Sequence, residues 1–133
     1  MGDRNIIGFA SNKGAAPTYL YSHWGGSDRF NDLADAIEKA RPRWDDPSYA
    51  TRIAICSIIG GKNWDDEVGF GITNDFDELD SNYDDMLVVC WEERVVQTRE
   101  LRSTRVIYEF SFEEFLDQFM SLGAFIEALQ ENS

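Results

Sequence analysis

Basic residues are scarce in this chain. Lysine and arginine number 12 against 25 aspartates and glutamates, so the 133 residues carry a net charge of −13. Phosphate contacts need Lys and Arg, so direct binding to nucleic acid or to an anionic membrane is not expected, and a basic partner is the electrostatic complement. Histidine is scarcer still. Every Ser/His or Cys/His nucleophile pair would have to use His23, because no other imidazole can serve as the base. The two cysteines, Cys56 and Cys90, lie in apolar segments without CxxC or Cys/His spacing, which supports neither a disulfide framework nor a zinc site. Buried free thiols are expected. No apolar run approaches the roughly 20 residues of a membrane span, and Met1–Asn5 carries opposite charges on Asp3 and Arg4 rather than the basic-then-apolar pattern of a secretory signal. A cytoplasmic protein is expected, with no membrane contact, no metal and no cofactor. Phosphate-cradling GxxxxGK[ST] and GxGxxG stretches are missing as well, so Gly25–Gly26 and Gly60–Gly61 read as terminators of a strand and a helix.

What is present is enough to fold. Apolar residues make up 43% of the chain and aromatics 14%, too rich for a disordered acidic polypeptide and sufficient for one domain spanning residues 1–133. Ile6, Ile7 and Phe9 predict a first strand and Thr18 to Trp24 a second, with residues 14–17 turning between them. Ser27 is placed to cap a helix carrying Phe30, Leu33, Ala34 and Ile37 at helical spacing, ending near residue 40 because Pro42 disfavours helical geometry just before it. Asp46 followed by Pro47 predicts a second helix start, with Tyr49, Ala50, Ile53, Ala54 and Ser57 on its inner face and Gly60 at its end. After a loop containing Trp64, the residues Val68, Phe70 and Ile72 alternate as a strand would. Met86 to Trp91 reads as a central strand, and 95–101 and 105–110 follow as antiparallel strands. Ser111 and Glu114 form a capping box for a last helix through Phe115, Leu116, Phe119 and Met120, which Gly123 breaks before a final turn over 124–129. This order predicts an α+β fold, a mostly antiparallel sheet of about five strands with three helices covering one face.

Two constellations stand out as candidate sites. From Asn63 to Glu93 there are eleven acidic residues and no basic one. The bland account is a solvated acidic loop that aids solubility. The sharper account is a surface of Asp65, Asp66, Glu67, Asp75, Asp77, Glu78, Asp80, Asp84 and Asp85 that imitates the phosphates of a duplex and occupies the Lys/Arg groove of a nucleic-acid-binding protein. Asp75, Asp77 and Asp80 also echo the start of an EF-hand, but Leu79 stands at the third ligand position and Asp80 where the loop needs glycine. The second constellation is Tyr21, His23 and Trp24 at one strand end with Arg41, Arg43 and Trp44 between the first two helices. Aromatic faces beside arginines suit a nucleotide-like ligand, unless the rings simply fill the core. A hydrolase built on carboxylates and His23 is the third possibility.

The segments YLYSHWGG at 19–26 and ARPRWDDPSYATRIAICSIIG at 40–60 resemble a group of small proteins encoded by tailed bacteriophages, over about the first 70 residues. The resemblance implies a viral accessory protein acting in the bacterial cytoplasm and transfers no catalytic residue. The resemblance carries no activity with it. Many other small acidic phage proteins bind and block host nucleases, restriction enzymes or CRISPR effectors, and the general likeness in size and charge points the same way. The leading expectation is therefore a non-enzymatic inhibitor of a basic host defence or nucleic-acid-binding protein.

Overall fold

The structure is a computed structural model that describes residues 2–61, 65, 69–78, 80–120 and 130. Expectations that rest on Trp64, Asp66, Glu67, Val68, Leu79, Gly123 and 124–129 lie outside those residues.

Six strands form one sheet in the order β3-β2-β1-β4-β5-β6: β1 Asn5–Ala10, β2 Thr18–Ser22, β3 Phe70–Thr73, β4 Asp85–Cys90, β5 Val95–Glu100 and β6 Val106–Ser111. Three helices complete it: α1 Arg29–Lys39, α2 Pro47–Ile59 and α3 Phe112–Phe119. The α+β class and the mostly antiparallel sheet are as expected. One pairing departs from the antiparallel pattern, because β1 and β4 run parallel at the centre. A parallel neighbour needs a long crossover, and here it contains β2, α1, α2 and β3. Being central, β1 is buried along its whole length.

Register decides which side chains meet the helices. Ile7 lies opposite both Leu20 and Leu87, and Phe9 opposite Val89, so these residues share one face of the sheet. Buried side chains of all three helices join them there: Leu33 and Ile37 of α1, Ala50 and Ala54 of α2, Phe115 and Leu116 of α3, around the fully buried Trp91. The opposite face carries Ile6, Met86, Val88, Cys90 and Tyr19. Part of that face is covered by the turns at 11–17 and 74–84. Gly8 permits the first, since a Cβ there would stand 3.1 Å from the Pro17 side chain. Phe76 anchors the second by packing on Tyr19 with ring centroids 5.3 Å apart.

The helix ends follow local chemistry with one exception. Asp46 caps α2 by accepting from the Tyr49 N–H, Pro47 occupies its first turn, and Gly60 ends it at φ 66°. Ser111 and Glu114 form both bonds of the expected capping box. Ser27, however, does not cap α1. Its N–H donates to Asp3 Oδ2 at 2.8 Å while the Gly26 N–H donates to the Asp3 carbonyl at 3.0 Å, so residues 26–28 form a 3-10 turn and α1 starts at Arg29. The N-terminal segment thus competes for the groups that a local cap would use. Two burial expectations also change. Tyr49 is exposed on α2 whereas Ile55 is buried, and Cys56 is only half-buried while Cys90 is fully buried.

Candidate functional site

The acidic stretch folds as a strap of short local turns. The Asp75 N–H donates to Thr73 Oγ1 at 2.9 Å, and the Asp77 N–H donates to Asp75 Oδ1 at 3.1 Å, which starts the 3-10 turn Phe76–Glu78. The Tyr83 N–H donates to Ser81 Oγ, and the Ser81 hydroxyl donates to the Arg4 carbonyl. The strap is therefore tied to the N-terminal segment.

That tie changes the charge balance. The stretch has no cation of its own, but the fold brings in distant ones: Arg4 pairs with Asp80 at 2.8 Å and Arg29 with Asp85 at 2.9 Å. Asp80 stays 72% exposed in its pair, whereas Asp85 is largely covered by a guanidinium that is itself only 8% exposed. Asp85 serves packing and leaves the exposed array. Asp65 is half-buried and has a partner. Asp75, Asp77 and Asp84 are exposed, and no basic side chain pairs with them among the described residues. Glu78 belongs to the short turn.

Part of this stretch borders an open groove of about 540 Å³ between the strap and the β5–β6 turn. Asp77, Asp80 and Asp84 line it from the strap and Glu100 from the end of β5, with Phe76 and Leu101 as apolar surface and Arg102 as the basic residue of its wall. Glu100 is held by Arg105 and by the Ser103 hydroxyl, which lower its carboxyl below the usual range. Tyr83 lines the groove as well. Its hydroxyl donates to Asp3 at 2.5 Å, a bond that holds the Asp3 carboxyl low and raises the phenol. Glu100, Leu101 and Arg102 escape a reading of the acidic run alone, because nothing in the local sequence places the β5–β6 turn beside residues 77–84. Arg29 did leave a trace: it stands four residues before Leu33 and eight before Ile37, on the stripe that turns inward.

The aromatic and arginine constellation divides. Tyr21, His23 and Trp24 stay together: the Tyr21 hydroxyl and His23 Nδ1 are 3.2 Å apart, and the His23 ring meets Trp24 edge-on at 4.7 Å. Arg41, Arg43 and Trp44 follow the far end of α1, whose 11 residues span about 16 Å. Trp44 is a core residue there. It donates from Nε1 to the Ile37 carbonyl at 2.9 Å and packs on Phe112 with centroids 4.9 Å apart. Arg41 bonds Glu38 and lies over Trp44, and Arg43 lies over the Tyr49 ring at 4.5 Å. The single cleft of six residues does not form, because α1 stands between its halves.

His23 has the Tyr21 hydroxyl as its side-chain neighbour, and a phenol at that position does not make a nucleophile–base–orienter chain. No group of three or more His, Cys, Asp or Glu side chains converges as a metal ion would require, among the described residues. Nor is any described helix long and apolar enough to cross a membrane. Comparison with protein-family models, curated proteins and solved structures returned no match.

Proposed function

We propose that this chain is a non-enzymatic accessory protein of a bacteriophage, working in the bacterial cytoplasm, that binds and inhibits a basic nucleic-acid-binding or defence protein of the host through the groove between the strap and the β5–β6 turn. One observation carries the reading: carboxylates from two separate segments, Asp77, Asp80 and Asp84 from one and Glu100 from the other, border one concave surface with apolar side chains between them. A solubilising loop needs no such convergence. Lys and Arg side chains have long apolar stems and charged ends, so a groove of this composition receives them along their whole length. The charge of the surface rests on Asp75, Asp77 and Asp84, with Asp80 contributing through its exposed face.

Affinity capture from bacterial lysate at low and high salt, followed by elution with duplex DNA, tests the proposal. Basic DNA-binding proteins retained at low salt and displaced by DNA are the expected result. Changing Asp75, Asp77, Asp80 and Asp84 together to Asn should abolish that retention with the fold intact by circular dichroism. Retention that is indifferent to salt, to DNA and to these substitutions would refute it, because screening weakens exposed charge pairs.

A further inference from the structure

A second, smaller cavity lies where the β1–β2–β3 side of the sheet meets the helices, and its volume is about 150 Å³. It shares no lining residue with the acidic groove. Strand register explains its character. Ile7 pairs with Leu20 and Asn5 with Ser22, so the face that packs on the helices is apolar along most of β1 and turns polar at one end. Ile7, Leu20, Ile58 and Phe70 give the cavity its apolar lining. Asn5, Ser22 and Arg29 give it a polar one, and these side chains are only 3%, 6% and 8% exposed. Asn5 Nδ2 and the Ser22 hydroxyl both donate to the Trp24 carbonyl. Arg29 gives Nη2 to Asp85 at 2.9 Å, but its Nε and Nη1 meet no acceptor among the described residues. A buried polar side chain is ordinarily hydrogen-bonded throughout. A lining arginine with two idle donors therefore marks the place of an acceptor that the fold does not supply.

We propose that this cavity binds a small uncharged carbonyl compound, an amide or lactam on a compact apolar ring about the size of benzene, whose oxygen accepts from Arg29. Volume sets the size, since a cavity of about 150 Å³ admits benzene. The lining sets the polarity. A hydrocarbon would leave both Arg29 donors idle, and a cation would place a second positive charge beside a buried guanidinium. An anion is disfavoured too, because Asp85 already neutralises Arg29 and the exposed Asp32 also lines the cavity. A carbonyl oxygen accepts without bringing a charge. Asn5, whose amide both donates and accepts, is suited to face the N–H of the same ligand.

δ-Valerolactam, a single ring with one amide, is a suitable probe for the full chain, with benzene, piperidinium and cyclopentanecarboxylate as its apolar, cationic and anionic counterparts. Titration to about 10 mM should give saturable binding by calorimetry and a saturable shift of the Arg29 Nε–H signal in proton–nitrogen correlation spectra. Benzene should leave that signal unmoved. Arg29→Met should bind the lactam about tenfold or more weakly, the loss of one hydrogen bond to a charged group. Each ion should bind the unmodified protein about tenfold or more weakly than the lactam does. Absence of saturation by about 10 mM lactam, an Arg29 signal that does not respond to it, equal or tighter binding of either ion, or unchanged affinity in Arg29→Met would overturn the proposal. The ligand series and the Arg29 signal decide the matter in the unmodified protein even if Arg29→Met were to fold poorly.

Discussion

Breaking the Arg29–Asp85 pair from its two ends should give very different results. The guanidinium is 8% exposed and the carboxylate 27%, so one partner is sealed in and the other still reaches water. Arg29 also buries two donors, Nε and Nη1, that have no acceptor among the described residues. Asp85→Asn leaves a buried cation without its counter-charge, a loss of about 3 kcal/mol or more. Arg29→Met instead removes the cation together with both unpartnered donors and keeps a flexible apolar chain in the space. It gives up the Tyr83 stack, and the freed carboxylate is rehydrated, so the net cost should be about 0–1.5 kcal/mol. The double variant should resemble Arg29→Met, giving a coupling energy on the order of −3 kcal/mol. Urea unfolding with an unchanged m-value measures all three, and each kcal/mol corresponds to about 3–5 °C in Tm for a domain of this size. If Arg29→Met costs as much as Asp85→Asn, the stack on Tyr83 outweighs the burial of the charge and the reasoning fails.

Three further outcomes are expected. Trp44→Ala should cost about 3–5 kcal/mol, since it empties a core position and removes the Nε1 bond to the Ile37 carbonyl, while Arg43→Ala on the surface should stay within about 0.5 kcal/mol; equal melting temperatures for the two would contradict the core placement. The Tyr83 hydroxyl and the Ser27 N–H hold the Asp3 carboxyl below its usual value, so this group's stabilisation is present above the unfolded-state pKa and is lost as pH falls through the lower folded one. Asp3→Asn should therefore flatten the acid limb of the Tm–pH curve below about pH 4, and a limb of unchanged steepness would count against the bond. Ser111→Ala removes the acceptor of the Glu114 N–H at 3.1 Å and should destabilise α3 by about 1 kcal/mol, read by chemical denaturation; a change below about 0.3 kcal/mol would mean that the capping box contributes little.

Residues close together in the chain determined much of this architecture. The Asp46–Pro47 start and Gly60 stop of α2, the capping box of α3, and the unbroken apolar run of β4 are legible because propensity, capping and periodicity act within a few residues. The prospect of a basic partner came from composition alone, since net charge needs no fold to be counted. Tertiary structure decided the rest. Whether Ser27 caps α1 depends on Asp3, 24 residues away, and whether Asp80 and Asp85 are bare or paired depends on Arg4 and Arg29. The cluster that joined Trp24 to Arg43 on paper is split because α1 is a rigid rod between them, and a groove that no segment encodes arises where the β5–β6 turn meets the strap. Long-range pairing sets these outcomes. Which charges face one another follows from the register of strands far apart in sequence, and no local pattern carries that register.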